Sequence, residues 1–318
     1  MTFAGTVLVT GASSGIGRAT ALLLARRGCP VVLVSRSEGV LEQVRAECEA
    51  AGGRALVVVA DVTDGAAVDA AFTTARRTFG PVTGVVHAAG ALAFGRFEDI
   101  PAEVFDGTVA TVLTGTATVA RRAMTEFRTH DGGDLVVLGS LLGRISAPYM
   151  SPYVAAKHGV HGLVRALQIE ARSTPGTHIS LVWPGVVNTP IYAQAGGYLG
   201  RRGRPLLPVD SPEKVARTVL RTLDRPRRAS RAGWTNGVSV AAFHAVPGVF
   251  DRVVTPFVHA GLEREGSEDT PGNVLEAVPE GEAVHGRLDR RWLRPLGQAL
   301  VTGGRRTLRR RWHRARRR

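Results

Sequence analysis

Tyr153 and Lys157 stand four residues apart at the start of a helical pattern, so their side chains share one face. An ammonium beside a phenol favours the phenolate and lowers its pKa toward working pH. Such a tyrosine can give a proton to a carbonyl oxygen or take one from an alcohol. Ser140, at the end of an apolar run, is placed to hold the reacting oxygen by a hydrogen bond. Taken singly, the pair is a helix-surface contact and the serine a turn cap. Together they form an acid–base set. Lys157 carries extra weight because it and Lys214 are the only lysines among 41 basic residues. Arginine does not titrate in a working range, whereas lysine does when its surroundings shift it.

A second set of residues addresses a phosphate. Thr10-Gly11-Ala12-Ser13-Ser14-Gly15-Ile16-Gly17 follows one apolar run and opens a helix. Its three glycines permit a tight turn and close approach to a pyrophosphate, and the helix N-terminus offers free N–H groups and a positive dipole end. The dinucleotide is read from the end of the next strand, Val34-Ser35-Arg36-Ser37, which has no acid before Glu38. NAD sites usually place an acid there, whereas Arg36, helped by Ser13 or Ser35, can pair with a 2′-phosphate. NADP(H) is therefore expected over NAD(H); the bland alternative is a surface arginine at a loop start. Asp61-Val62 follows the third strand, and Asp61 is read equally as an acceptor for the adenine amino group and as a helix cap; both can hold.

These residues need a frame that brings them together. Apolar, β-branched runs at 6–10, 31–35, 55–60, 82–87, 134–139 and 178–183 alternate with helical patterns near 15–28, 38–52, 64–79, 101–128 and 151–174. Continuous apolar strands imply a sheet covered on both faces, and the alternation implies a parallel, doubly wound α/β sheet of Rossmann type. Ligands bind such sheets outside the carboxyl ends of the strands, where every motif above falls. Residues 1–235 are expected to form this catalytic domain, with a helix starting at Ser211 and Pro212 near its end. Residues 236–262 read as an apolar helical extension broken by Pro247 and Pro256. Residues 263–286, acidic and rich in Gly and Pro, read as a linker.

Over residues 4–192 the chain resembles the short-chain dehydrogenases/reductases. The resemblance rests on residues 10–17, Asp61-Val62, His87-Ala88-Ala89-Gly90, Ser140, Tyr153 with Lys157, and Pro184-Gly185 with Thr189. It implies a sheet of about seven strands, Tyr153 as acid/base, Lys157 also holding the nicotinamide ribose, and Ser140 orienting the substrate. It further implies cofactor contacts from Gly11, Ser13, Ser14, Gly15, Ile16, Gly17, Ala89 and Gly90. Pro184, Gly185, Val187 and Thr189 would meet the nicotinamide, and residues 190–210 would be a mobile substrate loop. Two motifs depart from the family pattern. His87-Ala88 replaces the usual pair of asparagines, and Val112 stands where the family has an asparagine that serves a water-linked proton relay. Valine cannot relay a proton, although Thr111 and Thr114 stand beside it. The expected activity is interconversion of a carbonyl and a secondary alcohol on an apolar or lipid-like small molecule. The competing reading is a nucleotide-binding scaffold or redox sensor with little turnover.

The formal charge of +14 is concentrated in residues 287–318, which hold thirteen arginines and one acid. The remaining 286 residues carry 28 basic and 26 acidic side chains, and so are close to neutral. A nucleic-acid partner is disfavoured as a primary role. The tail reads as a solvated charge run or as a contact with anionic membrane surface, helped by Trp292 and Trp312. Cys29 and Cys48 have neither metal-ligand nor paired spacing and read as thiols in a reducing compartment. With no signal peptide or spanning segment read, the expected location is cytoplasmic, with attachment at the inner membrane face as the further option. His130, His158, His161 and His178 show no convergent ligand spacing, so no metal is expected. A homo-oligomer is expected by family analogy alone.

Overall fold

The computed structural model describes residues 3–206, 208–233, 235–262 and 266–286. Its strands are β1 (Thr6–Thr10), β2 (Pro30–Ser35), β3 (Arg54–Val59), β4 (Val82–His87), β5 (Ala93–Gly95), β6 (Gly133–Leu138), β7 (Thr177–Pro184), β8 (Gly196–Tyr198) and β9 (Ala229–Ala232). Its helices are α1 (Gly15–Arg26), α2 (Glu38–Ala50), α3 (Gly65–Phe79), α4 (Ala102–Val109), α5 (Gly115–Arg128), α6 (Ser151–Glu170), α7 (Pro212–Asp224), α8 (Thr235–Ala245) and α9 (Pro247–Ala260). Seven strands form one parallel sheet in the order β3-β2-β1-β4-β6-β7-β9, and β5 pairs with β8 in a small separate ribbon.

The apolar runs are covered on both faces, and alternate residues serve opposite cores. Val7, Val9, Val31, Leu33, Val86 and Val136 pack with α1, α2 and α7 through residues such as Leu24, Val44 and Val219. Leu8, Val32, Val34, Val85, Leu135 and Val137 pack with α3, α5 and α6 through Phe72, Phe127 and Val160. Burying each such side chain contributes roughly 1.5–3 kcal/mol, so a polar residue in its place would be tolerated only with a hydrogen-bond partner.

The later part of the chain departs from its sequence reading in three places. β9 pairs in parallel with β7, from Leu181 opposite Ala229 to Pro184 opposite Ala232, and supplies the seventh strand. The expected break at Pro247 is present, with that residue opening α9, but Pro256 lies inside the helix rather than breaking it. A proline there forfeits one helical hydrogen bond, and the helix runs on regardless. The segment expected as a linker packs back on the domain over its described residues: Asn273 N–H donates to the Gln194 carbonyl at 2.8 Å, and Val274 is buried against Ile100 and Val104. The chain to Gly286 forms one compact unit. The arginine-rich tail, 287–318, and Trp234 lie outside the described residues. Among the described residues, no helix is long and apolar enough to cross a membrane.

Candidate active site

Strand order reverses between β1 and β4, and a crevice opens beyond their carboxyl ends. The Gly-rich turn forms its floor. Gly11 and Gly15 take φ of 65° and 52°, a region that L side chains avoid. A Cβ on Gly11 would stand 2.8 Å from the Ala89 nitrogen, and one on Gly17 would overlap the Gly11 carbonyl oxygen. The glycines thus make the turn and let α1 seat closely on the strand end. Ser13, Ser14 and Ile16 line the crevice with them, facing Asp61, Val62, Ala89 and Gly90. Arg36 and Thr189 close its two ends. Backbone amides at a helix start, hydroxyls and a guanidinium, around a floor bare of side chains, fit a dinucleotide's phosphates.

Arg36 is not free in this crevice. Its Nη2 donates to the Asn273 carbonyl at 2.7 Å, and its Nη1 lies 3.7 Å from Asp61 Oδ2. Asp61 also accepts from the Thr63 amide at 2.8 Å and the Thr63 hydroxyl at 2.7 Å, so it stabilises the turn. The cap of α3 itself is Asp64. His87, in place of the family's asparagine, is buried with Nδ1 2.8 Å from Thr10 Oγ1. Burial, and then the charge of Lys157, push its pKa down to about 3. A neutral imidazole can therefore tie β4 to β1 without setting a second cation beside the lysine.

Tyr153 and Lys157 face the end of β6 from the first turns of α6. Lys157 Nζ donates to the Leu138 carbonyl at 2.8 Å and lies 5.6 Å from the Tyr153 ring centre. Burial pulls the Lys157 pKa down to about 8. Burial also pushes Tyr153 up to about 12, opposed by its hydrogen bond with Ser140. The anticipated lowering of the tyrosine is not found: desolvation disfavours the phenolate more strongly than the bond with Ser140 favours it, and Lys157 is not among the causes of the shift. The phenol is consequently protonated at neutral pH. Ser140 Oγ in addition accepts from the Leu142 amide at 3.1 Å, so its turn-capping reading holds alongside its place beside Tyr153.

Val112 is fully buried in a single π turn, Ala110–Thr114, between α4 and α5. Such turns often occur at functional sites, yet here the side chain is apolar and the Val112 carbonyl accepts from Thr116 Oγ1 at 2.6 Å. Of the two threonines beside it, Thr111 lines the crevice and Thr114 is exposed. His161, one turn beyond Lys157, was not singled out for chemistry by the sequence. Burial, followed by the charges of Arg144 and Lys157, pushes it down to about 4, so it too is neutral.

Beyond the tyrosine lies a cavity of about 240 Å³ that Pro184, Gly185 and Val187 also border. Its walls are apolar: Leu92, Phe94, Met150, Tyr192, Val254 and Phe257, with Ser140, Tyr153 and Lys157 at the polar end. The α9 wall follows from the apolar extension read in the sequence. Leu92 and Phe94 carried no such signal, because a three-residue strand is too short to show periodicity.

A glycine cradle at a sheet's switch point, beside a serine, tyrosine and lysine over an apolar cavity, defines a Rossmann-type oxidoreductase. The short chain dehydrogenase family model matches residues 5–196. The chain belongs to the short-chain dehydrogenase/reductase family and is an oxidoreductase acting between alcohol and carbonyl. It is 35% identical over 214 residues to L-rhamnose 1-dehydrogenase (NAD(P)(+)) of Sphingomonas, covering 63% of this chain and 84% of that one. It is 33% identical over 183 residues to 2-(S)-hydroxypropyl-CoM dehydrogenase 3 of Xanthobacter autotrophicus, covering 58% and 71%. Among solved structures, actinorhodin polyketide ketoreductase with NADPH superposes with a TM-score of 0.65 at 26% identity, covering 74% of this chain and 99% of that one. An alcohol dehydrogenase of Thermococcus sibiricus complexed with 5-hydroxy-NADP gives 0.63 at 28% identity, covering 72% and 95%.

Proposed function

We propose that the protein is an NADP(H)-dependent reductase of carbonyl groups on apolar small molecules, with Tyr153, Ser140 and Lys157 as its catalytic residues. The observation that carries this reading is the placement of Ser140, Tyr153 and Lys157 together at the polar end of an apolar cavity that adjoins the glycine cradle. The nicotinamide cofactor, when bound, supplies or accepts the hydride. Gly11, Ser13, Ser14, Gly15, Ile16 and Gly17 would hold its phosphates, Asp61, Val62, Ala89 and Gly90 its adenine half, and Pro184, Gly185, Val187 and Thr189 the nicotinamide end. Ser140 holds the substrate oxygen, and Tyr153 Oη donates its proton to it. Burial raises the phenol's pKa, so it bears its proton throughout the neutral range, the form that can donate to a carbonyl oxygen. Lys157, held by the Leu138 carbonyl, keeps a positive charge beside the phenol below its pKa of about 8.

NADP(H) preference is supported by Arg36 at the end of β2, with Ser13 and Ser37 lining the same crevice. The NADPH and 5-hydroxy-NADP in the similar structures are consistent with it. An apolar substrate is supported by the cavity walls and by the half-exposed Phe257 of α9 that lines it. The competing reading, a nucleotide-binding scaffold with little turnover, draws on Val112, whose buried side chain has no proton to relay. A panel of carbonyls and alcohols, followed by nicotinamide absorbance, separates the two. Turnover that Tyr153→Phe lowers by about 10²–10⁴-fold supports the reductase; turnover untouched by that change defeats the mechanism.

A further inference from the structure

The acidic segment that the sequence marks as a linker runs through the phosphate half of the cofactor crevice. The Gly15 amide, at the N-terminus of α1, donates to the Ala283 carbonyl at 2.9 Å. Ser37 Oγ donates to Glu282 Oε1 at 3.2 Å, Ser13 also hydrogen-bonds the carboxylate, and the guanidinium groups of Arg36 and Arg18 are near it. Arg36 spends its Nη2 on the Asn273 carbonyl. Each type of group that recognises a phosphate, namely a helix-start N–H, hydroxyls and guanidinium, thus meets an oxygen of this segment.

We propose that residues 273–286 are a strap that competes with the cofactor, the Glu282 carboxylate standing in for the 2′-phosphate of NADP(H). The proposal rests on the cofactor reading above. A carboxylate and a phosphate are both anionic oxygen acceptors, so one set of donors serves either, but not both together. Asn273 and Glu282 of the strap line the crevice beside Arg36, Ser13 and Ser37, where the adenosine end of the cofactor would lie. A dinucleotide enters only when the strap leaves.

The strap is built to leave from one end. Its start is anchored by Val274, buried in the apolar cluster of Ile100 and Val104. Its far part is held by polar contacts: Gln194 Nε2 donates to the Val278 carbonyl at 2.8 Å, and His285 Nε2 lies 2.8 Å from Glu213 Oε1. Gly281, at φ 81°, supplies a backbone swivel. Glu282 Oε2 and Asn188 Oδ1 are buried without a hydrogen-bond partner among the described residues. Such unsatisfied atoms weaken the hold of the strap on the domain. Burial raises the Glu282 pKa against the pull of Ser13, Ser37 and the two arginines, and so marks its charge as held at a cost. A ligand carrying its own anion can replace that carboxylate on the donors; NAD(H), with ribose hydroxyls there, cannot. Glu282 would therefore sharpen selection of NADP(H) while lowering its apparent affinity, since that affinity scales with the open fraction.

The test compares the full chain, Glu282→Gln and, as a control, Glu280→Gln at an exposed strap position. NADPH and NADH binding are titrated by nicotinamide fluorescence, and hydrogen exchange is followed at the Asn273 and Gly286 amides. Losing a charged hydrogen-bond acceptor should tighten NADPH binding by about tenfold or more in Glu282→Gln, with Glu280→Gln matching the parent. NADPH should also speed exchange at Gly286 in the parent. Unchanged or weaker NADPH binding in Glu282→Gln, with Gly286 equally protected in the complex, overturns the strap and leaves the cofactor reading standing. Absence of dinucleotide binding in all three proteins overturns the cofactor reading, and the competition with it.

Discussion

Lys157→Met would remove the ammonium while keeping a side chain of similar length in a buried site. The ordinary lysine pKa of 10.5 and the value of about 8 imposed by burial differ by an amount that corresponds to about 3 kcal/mol of strain on the charged form at pH 7. Methionine relieves it, but the Leu138 carbonyl then loses its donor at 2.8 Å, which costs at least about 1 kcal/mol. A net gain of up to about 2 kcal/mol is expected, or at most roughly 4 °C in melting temperature for a chain of this size. The sign with pH follows from linkage. Below pH 8 the lysine is charged in both states and the full penalty applies. Between pH 8 and 10.5 the folded protein has lost the proton while the unfolded chain keeps it, so parent stability rises with pH. The advantage of Lys157→Met should then fall below about 1 kcal/mol by pH 9.5. Urea unfolding of both proteins at pH 7.0 and 9.5 measures this, alongside turnover, which the variant should lose. A variant less stable than the parent at pH 7, or a gain that does not change with pH, would refute the account of Lys157 as a charge held in place against its own desolvation.

Other expectations concern separate parts of the molecule. Tyr153→Phe should keep dinucleotide binding while losing turnover, which titration and absorbance on the same sample distinguish. Arg36→Ala should weaken NADPH binding by about 10–100-fold, the worth of charged hydrogen bonds, and leave NADH binding nearly unchanged in a fluorescence titration. Gly17→Ala should unseat α1, because its Cβ would overlap the Gly11 carbonyl; a large loss of melting temperature together with lost nucleotide binding is the expected result. Glu126 has a fully buried side chain that accepts from Arg76, Arg122 and His130. Against the opposing effect of burial, those partners hold its pKa below the ordinary value, so its contribution is present above about pH 4.5 and is lost as pH falls through the lowered value. Glu126→Ala should cost about 2–4 kcal/mol at pH 7, and calorimetry should find that deficit shrinking in acid.

The frame of this protein was legible because local chemistry wrote it. Apolar runs such as Val31-Val32-Leu33-Val34 cover both faces of a sheet, and β2 and β3 fall within a residue of their expected limits. The glycine turn is equally local: positive φ and bare approach at Gly11 and Gly15 are needs of a few consecutive residues. The four-residue spacing of Tyr153 and Lys157 sets them on one helical face before any packing is known. The ordering of their acidities was not legible. It depends on how much water the surrounding chain excludes, and burial reversed the expected shift of the tyrosine.

What only the tertiary structure decided lies in contacts between residues far apart in the chain. Arg36 and Asn273 are 237 positions apart, and nothing periodic in residues 266–286 announces that they would fold back. A Gly- and Pro-rich acidic stretch reads as a linker because it lacks an apolar face. It is held by backbone carbonyls, one buried valine and one carboxylate, none of which leaves a pattern in sequence. The sequence by itself determined the family, the glycine turn and the shared helical face of Tyr153 and Lys157, since each is specified by neighbours along the chain. The structure decided which charges are held out of water and which donors are already taken, because these depend on partners that only folding brings together.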